Sequence, residues 1–129
     1  MTADNPFPDI EELDNLIDLH LRSHADYTHS FGVLPVGVGA EIFTFNALEE
    51  SYKKGMKKNH REHVNEYIQE NPDLFKINIL SVPEEKHRPD VRLTVDTRED
   101  YLKACFIIEK SSDEYIKTEE AIRLCSLWS

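Results

Sequence analysis

Glycine is scarce in this sequence: the 129 residues hold four, and three of those fall within residues 32–39. A glycine run can let backbone approach a ligand closely. This one lacks the terminal Gly-Lys-Ser/Thr of a P-loop and does not match the dinucleotide fingerprint. Cysteine is scarcer still. Cys105 and Cys125 both fall on helical patterns among apolar neighbours, which points to buried free thiols in a reducing cytoplasm rather than a disulfide or a catalytic thiol. Basic residues are outnumbered, 15 against 25 acidic, for a net charge of −10. That balance disfavours a nucleic-acid face, because such binding rests on neutralising phosphates. No apolar run is long enough to span a membrane and no signal peptide is visible. The expectation is a cytoplasmic protein with neither nucleic acid nor membrane as partner. Internal repeats and low-complexity tracts are also missing.

What is present is enough for a folded core. Hydrophobic residues make up 40% and aromatic residues 9% of the chain. The most organised stretch is Arg92–Asp100. Val91, Leu93 and Val95 alternate with Arg92, Thr94 and Asp96, the period of a strand. Thr97 then caps a helix running to about Lys110, with Asp100 at N3 and Glu99 beside it near the positive helix end. Asp96 is thereby placed at the C-terminal end of a strand, the edge where open α/β sheets hold ligands and metals. Taken alone, a turn carboxylate beside a well-capped helix explains it as well.

The rest of the chain alternates helices and strands. Asp9 with Glu12 caps a helix through about Ser23, where His20 and His24 lie four apart without an obvious third metal ligand. Strands are predicted near 25–31, 38–45, 74–82 and 91–96. Glu41, Phe43 and Phe45 share one face of the second, and Phe75, Ile77 and Ile79 one face of the third. Asn46 with Glu49 starts a helix, another runs from Asn59 through Ile68, and Thr118 caps a closing helix. His60 and His63 are three apart, which is not the metalloprotease spacing, so a solvated first turn accounts for them.

Five motifs in register over residues 2–109 carry a resemblance: Thr-Ala-Asp4-Asn5-Pro-Phe-Pro-Asp, Leu-Pro-Val-Gly37-Val-Gly-Ala-Glu41, Arg61-Glu62-His63-Val, Asn-Pro-Asp-Leu-Phe-Lys, and Arg92-Leu-Thr-Val-Asp96-Thr-Arg-Glu-Asp100. Together they resemble the C-terminal half of cytidylyltransferases of the spore coat polysaccharide biosynthesis type, related to the acylneuraminate cytidylyltransferases. The resemblance implies an α/β fold, a partial Rossmann-like, glycosyltransferase-A-like mixed sheet with flanking helices. Residues 1–110 would form the C-terminal half of such a domain and 111–129 a helical tail. It implies transfer of CMP from CTP to a sugar, with Asp4 and Asp96 matching the two carboxylates that hold Mg²⁺. Mg²⁺ takes hard oxygen ligands, usually one or two carboxylates together with phosphates and water. By the same resemblance Asn5, Gly37, Glu41, Arg61, Glu62 and His63 lie on the substrate side. Arg92 either faces a phosphate or pairs with a carboxylate; the sequence allows both.

The departures shape two expectations. The family's Gly/Arg-rich CTP loop has no counterpart here, Ala3 stands where glycine is usual, and Arg98 replaces a common proline. One expectation is a nucleotidyltransferase domain inactive until an N-terminal half supplies the CTP loop. The other is a non-catalytic sugar-phosphate-binding or oligomerising module. An unpaired strand edge would then pair with a second copy as a homodimer, or with another partner.

Overall fold

Alternating apolar patterns and well-spaced caps give an α/β chain, seen in a computed structural model that describes residues 4–111 and 113–128. In chain order the elements are α1 (Ile10–Ser23), β1 (Tyr27–His29), β2 (Glu41–Phe43), α2 (Phe45–Lys54), α3 (Lys58–Glu62), α4 (Val64–Glu70), β3 (Ile77–Ile79), a 3₁₀ turn (Glu84–Lys86), α5 (Arg98–Lys110) and α6 (Thr118–Ser126). The described residues divide into two compact units. The first takes its residues from Met1–Leu13, Ser30–Ala40 and Ser81–Ser129, the second from Asp14–His29 and Glu41–Leu80.

The second unit holds the sheet, in the order β2-β1-β3. β1 pairs antiparallel with β2 (Tyr27 opposite Phe43) and parallel with β3 (Tyr27 opposite Ile77), so the sheet is mixed, as the sequence implies. Tyr27 is fully buried and packs with Ala47, Ile68 and Phe75, flanked by Phe43, Tyr67 and Ile77. Its ring stacks on Phe43 at 4.8 Å.

The strand expected over 25–31 shortens to Tyr27–His29, and three further boundaries differ from the sequence reading. The strand expected over 38–45 stops at Phe43, because Thr44 turns to accept the Ala47 N–H at 3.1 Å and caps α2 in place of Asn46. Phe45 therefore belongs to a helix. The strand expected over 74–82 shrinks to Ile77–Ile79, with Phe75 buried and Ile79 exposed. The helix expected from Asn59 breaks at His63, whose extended backbone (φ −135°, ψ 97°) separates α3 from α4.

The first unit packs Phe7, Leu34, Val38, Leu93, Ile107, Ile116 and Leu124 in one core, with Cys125 at its margin. Both cysteines are free but only half-buried, short of the full burial expected for them. The stretch 91–96 is extended without becoming a full strand. Its partner Val36 offers one residue only, donating to the Val91 carbonyl and accepting from the Leu93 N–H at 2.8 Å each. α5 is capped as its sequence demands, Thr97 accepting the Asp100 N–H and Asp100 the Thr97 N–H at 3.1 Å each. Thr118 does not cap α6. Its hydroxyl donates to buried Asp9 instead, and Lys117 stands at the cap. Asp9 also caps α1, accepting the Glu12 N–H at 2.8 Å.

Candidate functional site

Backbone pairing sets Asp4 and Asp96, the two acidic residues singled out by sequence, on one cavity. The Asp4 carbonyl accepts the Val95 N–H at 2.7 Å and the Thr94 hydroxyl at 3.1 Å. Asp4 is thus fixed against the stretch that ends in Asp96, and both line one cavity of about 430 Å³ within the first unit. Asn5, Gly37, Arg92 and Thr94 also line it. Gly37 has a positive φ of 95°, and a Cβ there would stand 2.7 Å from the Thr94 nitrogen. Only glycine lets these two wall segments approach so closely.

Arg92 dominates the electrostatics. Its Nε donates to both Asp100 oxygens, at 3.1 and 3.3 Å, and its Nη2 to Asp100 Oδ2 at 2.9 Å. The same Nη2 donates to Asp96 Oδ2, also at 2.9 Å. Asp100 Oδ2 further accepts the backbone N–H groups of Asp96 and Thr97 at 3.1 Å. Arg92 first, and those N–H groups after it, hold the Asp100 carboxyl well below the usual carboxylate range. Lys103 Nζ grips the Arg92 carbonyl from α5. Of the two alternatives left open by sequence, the guanidinium takes the carboxylates.

Of the nine residues expected at a site, five meet in this cavity: Asp4, Asn5, Gly37, Arg92 and Asp96. The other four belong to the second unit. Glu41 is half-buried there and accepts the Tyr27 hydroxyl at 2.7 Å. That contact, after burial itself, keeps the Tyr27 phenol protonated far above its ordinary range. His63 is exposed, and the side chains of Arg61 and Glu62 lie outside the described residues. Two residues of weight escaped the sequence reading. Asp100 was legible as a helix cap but not as the anchor of Arg92, and Thr94 not as the clasp on Asp4. Arg92 and Asp100 stand eight residues apart across a strand-to-helix turn, a spacing with no fixed geometry.

The donor set suits a hard divalent cation. Among the described residues no three His, Cys, Asp or Glu side chains converge as an all-protein metal cage. Mg²⁺ does not need one, since one or two carboxylates with ligand phosphates suffice. Asp4 and Asp96, facing one cavity, meet that requirement.

Known proteins resemble this chain in sequence and fold. The family model for cytidylyltransferases matches residues 1–127. The spore coat polysaccharide biosynthesis protein SpsF of Bacillus subtilis is 35% identical over 114 residues, 88% of this chain and 47% of that protein. An uncharacterized protein of Methanocaldococcus jannaschii is 42% identical over 101 residues, 78% of this chain and 41% of its own. A solved cytidylyltransferase from Leptospira borgpetersenii superposes with a TM-score of 0.86 at 27% identity, covering 98% of this chain and 54% of that one. The chain therefore spans about half the length of the curated relatives it matches. On the strength of a family model that matches nearly its whole length, the chain belongs to the cytidylyltransferase family.

Proposed function

We propose that this chain forms the metal and sugar side of an enzyme that transfers CMP from CTP to a sugar, for a surface polysaccharide or glycoconjugate precursor. The observation that carries the reading is the pairing of Asp4 and Asp96 on one cavity through the clasp of the Asp4 carbonyl by Val95 and Thr94. The name of the B. subtilis relative supports a polysaccharide product. Asp4 and Asp96 would hold Mg²⁺, which supplies charge neutralisation at the phosphates when bound. Asn5 and Gly37 bound the space beside it. Glu41, held by Tyr27, is assigned with Arg61, Glu62 and His63 to the sugar. The nucleotide requires a Gly/Arg-rich loop, and an N-terminal half of the family type would provide it.

The test mixes this chain with Mg²⁺, CTP and a panel of acidic and neutral sugars. It is run alone and with the part of the B. subtilis relative that lies outside the matched region, and pyrophosphate release is followed. Release is expected only from the combination, and not with Asp96→Ala. Two folded pieces that release none with any sugar would overturn the reading.

A second reading, a non-catalytic oligomerising module, is favoured by Phe45 and Tyr52, exposed on α2, and by Met56, exposed just beyond it. A second copy would cover them. Light scattering that finds only monomer at high concentration would remove it.

A further inference from the structure

The two carboxylate partners of Arg92 are held very differently. The Asp100 side chain is only 8% exposed, while that of Asp96 is 57% exposed. Asp100 is fixed three ways, by the Arg92 fork, by the N–H groups of Asp96 and Thr97, and by its place in the α5 cap. Among the described residues the Asp96 carboxylate is held by one bond, from Arg92 Nη2. The guanidinium, whose side chain is itself 44% exposed, lines the cavity at that same end. Were Asp96 to leave, Nε and Nη2 would still be anchored on Asp100, and the group would stay where it is.

We propose that Arg92 is an exchange residue, pairing with Asp96 while no cation is present and passing to a ligand phosphoryl group once a cation takes the Asp96 carboxylate. The inference deepens the function proposed above and rests on that reading of Asp4 and Asp96. Its logic is charge accounting at one wall. Asp4 and Asp96 on the cavity, with Asp100 behind Arg92, set three negative charges against the Arg92 guanidinium and the Lys103 ammonium on the Arg92 carbonyl, so a phosphate meets a net negative surface. A divalent cation on Asp96 removes that net negative charge and frees a charged donor of the geometry that phosphate oxygens favour. Cation and anion affinities are then linked through Arg92, and linkage is reciprocal. The exchange orders binding, cation before phosphate, with no moving loop.

The test uses binding alone, on the whole chain, with Mn²⁺ followed by electron paramagnetic resonance and inorganic pyrophosphate by calorimetry. Without cation, Asp96→Asn should bind pyrophosphate about tenfold more tightly than Asp4→Asn, within the usual span of site-to-site coupling. Asp4→Asn is the control, because it removes the same charge from the same cavity but frees no arginine. In the other direction, Arg92→Gln should tighten Mn²⁺ in the absence of anion and weaken pyrophosphate in the presence of Mn²⁺. Equal pyrophosphate affinities in the two Asn variants, or no pyrophosphate binding by either, would overturn the exchange. If Arg92→Gln fails to fold for want of a partner for Asp100, the two exposed Asp variants decide alone. CMP transfer that persists with equal affinities would remove this inference and leave the proposed function standing; transfer that fails with unequal affinities would do the reverse.

Discussion

The two units of this chain differ in where their strongest cluster of charge lies. In the first, ionic side chains turn inward. Lys86, with a side chain only 5% exposed, meets Asp9 at 3.0 Å, Glu11 at 3.5 Å, Glu12 at 3.6 Å and Glu119 at 3.7 Å. Burial pulls its pKa down, but Asp9, Glu12 and Glu119 outweigh that and the net shift is upward. In the second unit two ion pairs run lengthwise on the surface of α2, Glu49 with Lys53 at 2.6 Å and Glu50 with Lys54 at 2.9 Å, and the buried His60 meets the half-exposed Glu70. The interior there is aromatic instead. Tyr27 stacks on His29 and Phe43, and Tyr67 meets Phe75 edge-on at 6.0 Å. Charges that converge are costly to strand, whereas charges that lie along a helix are nearly free to remove. The unit that holds the candidate site is therefore the one whose stability hangs on electrostatics.

The largest expected effect is at the buried hub. Lys86→Ala leaves Asp9 and Glu12 buried without their cation, at a cost of roughly 3–5 kcal/mol, read from urea unfolding. A loss no greater than that of a surface pair would erase the contrast. Next is Gly37→Ala. Alanine is strained at a φ of 95° and its Cβ would press on the Thr94 backbone, for about 1–3 kcal/mol. Because Thr94 clasps Asp4, Mn²⁺ binding should fall along with stability.

Tyr27→Phe probes the second unit. It deletes the bond to Glu41, for about 0.5–1.5 kcal/mol at neutral pH. The phenol's pKa is higher folded than unfolded, so its neutral form adds stability that is present below the ordinary value of 10.0 and lost as pH rises beyond it. The variant should flatten that alkaline loss in a pH series of melts. The smallest effect belongs to Lys53→Ala, about 0.3–0.5 kcal/mol, diminishing further in salt. A value near that of Lys86→Ala would show that α2 depends on its pairs after all.

Features fixed by local chemistry were legible in the sequence. The α5 cap at Thr97 and Asp100 and the α1 cap at Asp9 stand where their side chains can reach the backbone N–H groups they need. Family likeness singled out Asp4, Asn5, Gly37, Arg92 and Asp96 in separate roles; that these five line one cavity is a finding of the structure. Strand lengths were not legible. Alternation signals an extended chain with two faces, but a strand also needs a partner, and Val36 gives the 91–96 stretch only one residue. Thr118 shows the same limit. Its hydroxyl could serve the local helix or a distant carboxylate, and Asp9, 109 residues away, wins it. Nothing within reach along the chain announces such a competition.

The clasp between Thr94 and Asp4 spans 90 residues. Seen as a folding event, that is the closure of a long loop, and each doubling of loop length adds about 0.6 kcal/mol of closure cost. Contacts so remote in sequence slow folding more than they weaken the final state. A nascent chain that has emerged only as far as β3 already holds every strand of the sheet, yet neither Arg92, Thr94 nor Asp96. The candidate site thus comes into being only once synthesis has passed Asp96, and a chain cut short before that point could be folded in its second unit and still be blind to a cation.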